Sequence, residues 1–172
     1  MTMTQEKVKP IVTASHLVDR LMGDDGLARE DARATLVKVG APVVPRLVQL
    51  LADQREYVRW EAAQALAEIA DPASAEALVR LLEDQAVGVR WVAASGLITM
   101  GEAGLPPLLR ALVKRSGSVI LLRSAHRVIF DLVGRDRLAM LKPLLDALES
   151  IEPAVTVPLA AQSALDLLSA RR

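Results

Sequence analysis

The chain has 172 residues, 52% of them hydrophobic and only 2% aromatic, so Leu, Val, Ile and Ala must fill any core. Twenty-one basic residues balance twenty-one acidic ones, which argues against bulk attraction to nucleic acid or an anionic membrane. Cysteine is absent, which excludes disulfides and thiolate metal sites and leaves the redox compartment open.

Residues 1–10 are polar, lack the apolar stretch of a signal peptide, and are expected to form a flexible N-terminus. No run approaches the roughly 18 uninterrupted apolar residues of a membrane span, and a cytoplasmic location is the default expectation. From Ile11 onward the sequence reads as helices in pairs. The first helix of each pair carries Leu17, Val18 and Leu21, then Leu47, Val48 and Leu51, then Leu78, Val79 and Leu82. Leu108, Leu109 and Leu112 follow, and finally Leu141, Leu144, Leu145 and Leu148. This i, i+3, i+4 spacing is that of an amphipathic helix. Gly23-Asp24-Asp25-Gly26, Asp53-Gln54, Asp84-Gln85 and Ser116-Gly117-Ser118 separate the two helices of a pair. Gly40, Asp71-Pro72, Gly101 and Gly134 separate one pair from the next. Pro42, Pro72, Pro106 and Pro107 fall near helix starts, whereas Pro45 and Pro143 lie further in and are expected to bend their helices. Five pairs result: Ile11–Gly40, Ala41–Asp71, Pro72–Gly101, Glu102–Gly134 and Arg135–Ala170, one domain over residues 11–172.

The second helices repeat one another. Val58-Arg59-Trp60-Glu61-Ala62-Ala63 returns as Val89-Arg90-Trp91-Val92-Ala93-Ala94, 31 positions on, and Leu66 maps to Leu97 at the same shift. Ala28-Arg29 with Leu36 is an earlier copy, 30 positions before, and Ile120, Ala125 and Val128 are a later one at 31. Val157, Ala161, Ala164 and Leu165 form a last copy. A fixed period of this size means stacked helix pairs, an all-α superhelix that offers a binding surface in place of one active-site cleft.

The phrase from Tyr57 to Asp71, followed by Ala75-Glu76-Ala77-Leu78-Val79-Arg80-Leu81-Leu82-Glu83-Asp84, resembles the HEAT-like repeats of phycobilisome bilin lyases. The two central copies match well, the first moderately, and the last two loosely. Leu121 replaces the repeat arginine in the fourth copy and Pro158 in the fifth. The resemblance implies that the Val-Arg helix lines a concave face and its partner helix a convex one. The inward-exposed residues would then be Glu56, Tyr57, Trp60, Glu61, Gln64 and Glu68 in the second pair. In the third they would be Val87, Gly88, Trp91, Val92, Ser95 and Thr99, and in the fourth Leu122, Arg123 and His126.

Both tryptophans occupy the same repeat position, so adjacent helices would place them side by side, roughly 10 Å apart. They form either an exposed aromatic patch suited to a protein or peptide partner, or part of the core over repeat junctions. Arg59 and Arg90 are expected to bind acidic turn residues of an adjacent repeat, such as Asp53 or Asp84, in a structural role. Eight basic residues lie from Arg110 to Lys142 against Asp131 and Asp136, an anion-docking region or a solvated surface spread over both sides. His16 and His126 lie far apart, and no phosphate loop, nucleophile elbow or metal-binding pair is present. The expected function is a non-catalytic protein-interaction or scaffold module with no cofactor. Self-association is open to it, through the same face or an uncapped end. A tetrapyrrole-binding protein of bilin-lyase type is the alternative, with stacking on Trp60, Trp91 and Tyr57. Nucleic-acid binding ranks last, because Glu56, Glu61 and Glu68 make the central stripe acidic.

Overall fold

Apolar periodicity and turn residues produce the expected pairs in the computed structural model, which describes residues 14–134 and 139–171. The expected flexible segment 1–10 lies outside the described residues. The helices are α1 Ala14–Leu21, α2 Gly26–Val39, α3 Val44–Leu50, α4 Glu56–Ile69 and α5 Ala75–Leu81. They continue as α6 Val87–Met100, α7 Leu105–Lys114, α8 Val119–Gly134, α9 Lys142–Leu148 and α10 Pro153–Ser169, with no strand among the described residues. Asp25 caps α2 by accepting the N–H groups of Leu27 and Ala28 at 3.0 and 3.2 Å. Gly40, Ala70 and Gly101 end α2, α4 and α6 with positive φ of 74°, 53° and 60°. Ala70 therefore bears a Cβ at a position where the neighbouring repeats use glycine.

Pro45 and Pro143 do not bend their helices. Each sits in the first turn of α3 or α9, because a 3₁₀ turn (Ala41–Val43 or Ala139–Leu141) precedes the helix and moves its start downstream. The proline inside a helix is Pro158, in α10.

The second helices α2, α4, α6 and α8 lie side by side, each backed by its neighbours among the first helices. Leu36, Leu66, Leu78, Leu97 and Leu112 are wholly buried between the two layers. The approach of α4 to α6 is the tightest of the face. A Cβ built on Gly96 would stand 2.9 Å from Leu78 Cδ1 and 3.0 Å from Ala67 Cβ, so only glycine fits that spacing. The apolar stretch Val87–Lys114 has the length and mean hydropathy of a membrane span, yet it breaks at Gly101 and supplies core residues to two helices.

The C-terminal end departs from the repeat. Ile120, the counterpart of buried Val89, is 48% exposed, while Leu121 is fully buried where earlier copies have arginine. An apolar side chain at that position turns inward and shifts the register of the first turn of α8. The final helix does not extend the row of second helices: α10 lies along α7 and on α9, and meets α8 only marginally. Its buried stripe is Val157, Ala161, Ala164 and Leu168, whose two alanines let the backbones approach closely. Ile151, Val155 and Leu159 remain exposed, while Val157 is covered.

Candidate interaction face

The repeat arginine has one fixed duty. Nη1 of Arg29 donates to the carbonyls of Gly23 and Asp24 at 3.0 and 2.9 Å. Arg59 does the same to Asp53 and Gln54 at 2.9 and 3.1 Å, and Arg90 to Asp84 and Gln85 at 2.7 and 3.0 Å. Each guanidinium thus ties the turn of its own pair, satisfying carbonyls that have no helical partner. What differs is where the rest of the fork goes. Arg59 grips Asp84 of the next repeat with Nε and Nη2 at 2.7 and 3.0 Å, the bidentate pair expected from sequence. Burial raises the Asp84 carboxyl pKa, but hydrogen bonds from Arg59 and the Ala86 N–H, with the charges of Arg59 and Arg90, hold it below its usual value. Asp53 is not taken by a neighbouring repeat. Arg55 claims it with two bonds of 2.9 Å, and that side-chain pairing, with the Arg55 backbone N–H, lowers Asp53 to a pKa of about 2.

Between α2 and α4 the face is closed by its own charges. Arg29 approaches Glu61 at 3.4 Å and Arg33 reaches it at 2.6 Å. Arg33 also lies 3.5 Å from Glu68, which accepts from Gln64 at 3.1 Å. Their guanidinium groups cover the rings: Arg29 lies 4.8 Å and Arg55 5.6 Å from the Tyr57 centroid, and Arg33 5.6 Å from that of Trp60. Tyr57 Oη donates toward Met22 O at 3.3 Å, and Trp60 is half-buried with its edge against Gly88. Arg33 was not singled out by the repeat pattern; its signal is its place one turn after Arg29 on α2. Glu61 is a correction to the expected exposed set: it is 6% exposed, drawn in by the two arginines of the preceding helix. Val92, at the same repeat position, is 5% exposed and belongs to the core.

Between α6 and α8 the face is open. Trp91 is 59% exposed, so this ring, unlike that of Trp60, is not part of the core. The two indoles do not pair with one another; each lies in its own cleft under an arginine of the helix on its far side. Arg127 covers one face of Trp91 at 3.7 Å and donates through Nη2 to Ser95 Oγ at 3.3 Å. Burial lowers the Arg127 pKa and the charge of Asp131 opposes that shift; its Nη1 is buried without a hydrogen-bond partner. Beside this stack is a cleft of about 190 Å³, lined by Val87, Arg90, Trp91, Ala94, Arg123 and Arg127. A second groove of about 380 Å³ adjoins it at Arg123, lined by Val119, Leu122, His126, Leu148 and Pro153. His126 Nε2 lies 3.0 Å from Glu149 Oε1, and its ring stacks on Phe130 at 5.9 Å. Ser95 is half-buried and Thr99 exposed along the same helix, each bonded to a carbonyl one turn back at 3.0 Å.

The basic residues from Arg110 to Lys142 are divided between both sides. Arg115 pairs with Glu83, Arg110 lies 3.8 Å from Glu76, Lys114 lines a separate groove with both arginines, and Lys142 bonds Asp146 at 2.5 Å, leaving Arg123 and Arg127 for the α6–α8 cleft. Arg135 and Arg137 lie outside the described residues. No cluster of three His, Asp or Glu side chains able to hold a metal occurs among the described residues.

A family model of HEAT repeats matches residues 44–128. Among solved structures, the crystal structure of an engineered protein is similar, at 24% identity over 91% of this chain and 79% of that one, with a TM-score of 0.48. No curated protein matches.

Proposed function

We propose, from the premise that the chain is a HEAT-like repeat protein, that it is a non-catalytic module binding a protein partner on the concave face formed by its second helices. The single observation that carries this reading is Trp91: a large ring 59% exposed in a chain that is 2% aromatic, held on one side by Arg127 and free on the other. Amphipathic rings fixed in this way are the side chains that dominate interface energetics. The binding set is Trp91 with Tyr57, Trp60, Gln64, Glu68, Ser95, Thr99, Leu122, Arg123 and His126. Glu61 and Val92 act from beneath it. The balanced charge favours a protein over a membrane or a nucleic-acid backbone. A tetrapyrrole reading loses its main support, because Trp60 and Trp91 line separate clefts and offer no single stacking wall.

Affinity capture with the wild-type chain and with Trp91→Ala tests the proposal. The expected result is a partner held by the wild type and lost by the variant, with the thermal midpoint unchanged. An identical captured set from both proteins would contradict it.

A further inference from the structure

One repeat position changes sign along the face. Glu61 in α4 becomes Val92 in α6 and Arg123 in α8, at successive shifts of 31. Glu61 meets the repeat arginine of the preceding helix, Arg29, whereas Arg123 shares its cleft with the repeat arginine Arg90. A second substitution compounds the first. Arg59 finds its carboxylate at Asp84, 25 positions on, whereas the residue 25 positions after Arg90 is Arg115, already paired with Glu83. Arg90 therefore ties its turn but has no acidic partner within salt-bridge distance among the described residues, and neither has Arg123. With Arg127, three guanidinium groups line one cleft; Asp131 acts on Arg127, and Asp84, whose carboxylate is gripped by Arg59, acts on Arg90. Like charges gathered at one site repel, and the fold elsewhere on this face neutralises them with a buried carboxylate.

We propose that this cleft receives a carboxylate from an acidic segment of the partner protein, in the place that Glu61 fills between α2 and α4. The inference rests on the interaction-module reading and names the chemistry of its partner. Two further features shape the segment. Arg123 belongs to both the 190 Å³ cleft and the adjoining 380 Å³ groove, whose walls are largely apolar: Val119, Leu122, Leu148 and Pro153. That groove lies between the first turns of α8 and α10 and the end of α9. The segment thus presents an Asp or Glu to Arg90 and Arg123, stacks on the free face of Trp91, and places a neighbouring aliphatic side chain beside Leu122. A planar carboxylate matches the guanidinium fork, and charge complementarity of this kind fixes register and speeds association.

The test is selection of random twelve-residue peptides on the full chain, followed by fluorescence anisotropy with the enriched peptides resynthesised in acidic and amide (Asn/Gln) forms. The expected result is enrichment of segments pairing an acidic with an aliphatic residue, about tenfold weaker binding of the amide forms, and a similar loss with Arg123→Glu. Arg123 is exposed, so this variant keeps the fold, and an unchanged melting midpoint verifies it. Peptides that bind irrespective of charge, or that survive Arg123→Glu but not Trp60→Ala, overturn the carboxylate site while leaving the interaction module standing. Arg123-dependent binding of duplex DNA or of phosphatidylserine vesicles in place of acidic peptides overturns the choice of partner. Failure of any peptide to enrich contradicts both readings.

Discussion

Between α2 and α4, Glu61 sits at 2.6 Å from Arg33 and 3.4 Å from Arg29, and the aromatic rings above it are roofed by arginines. Between α6 and α8, the same repeat position is Arg123, it lines one cleft with Arg90, and the indole beside it is 59% exposed. Helix pairing and the arginine of the leading helix that ties its turn, Arg29 or Arg90, are shared by the two junctions. A few side chains therefore decide whether a junction of this fold is sealed internally or left open. The intermediate junction, α4 to α6, shows a third solution: Val92 and Gly96 bring the helices into close apolar contact, and the Arg59–Asp84 pair ties them at the turn. The counterpart of Gly96 on α8 is Arg127, whose bulk keeps α8 from closing on α6 in the same way.

The largest test of this comparison is Glu61→Val, which gives the α2–α4 junction the residue of the next repeat. Two partly buried guanidinium groups lose their carboxylate, and the expected cost is about 3 kcal/mol in urea unfolding. A cost near zero would mean the sealed junction owes nothing to its charges. Asp84→Asn removes the partner of Arg59, with an expected loss of about 2 kcal/mol at neutral pH. The sign of its pH dependence follows from the depressed carboxyl. The stabilisation is complete above the ordinary Asp value of 3.8 and drains away as pH falls from there through the lower folded value. Thermal melts between pH 7 and 3 should show a smaller acid-side decline in Asp84→Asn than in the wild type. Gly96→Ala inserts a Cβ 2.9 Å from Leu78 Cδ1, and overpacking should lower stability by about 1–2 kcal/mol. Smallest is Ala70→Gly, which relieves a left-handed Ala where Gly40 and Gly101 serve the other repeats; a gain of about 0.5 kcal/mol in the same unfolding measurement is expected.

Much of the fold was legible because it is written in local periodicity. The apolar spacing in each first helix, the turn residues and the 31-position return of Val-Arg-Trp all report contacts made within one or two repeats. The structural duty of Arg59 was legible for the same reason, since its acid lies in the next turn. Glu61 was misplaced because its surroundings come from another helix: the stripe it shares with Tyr57 says nothing of Arg29 and Arg33 reaching over from α2. The same limit applies to the tryptophans, whose repeat position was plain but whose tilt depends on Arg33 on one side and Arg127 on the other. The swing of α10 onto α7 is a long-range choice, marked in sequence only by Pro158 and the alanines at 160, 161 and 164. Pro45 and Pro143 were misread because a single 3₁₀ turn moves a helix start without altering the apolar pattern.

The open cationic character of the α6–α8 junction is tested most directly by ionic quenching of Trp91 fluorescence in a Trp60→Phe background. Iodide should quench this indole about threefold more strongly than caesium, because three arginines concentrate the anion beside it, and Arg123→Glu should erase that preference. Equal quenching by both ions, or a Trp91 shielded from each in a verified monomer, would contradict the account and place this junction with the sealed one.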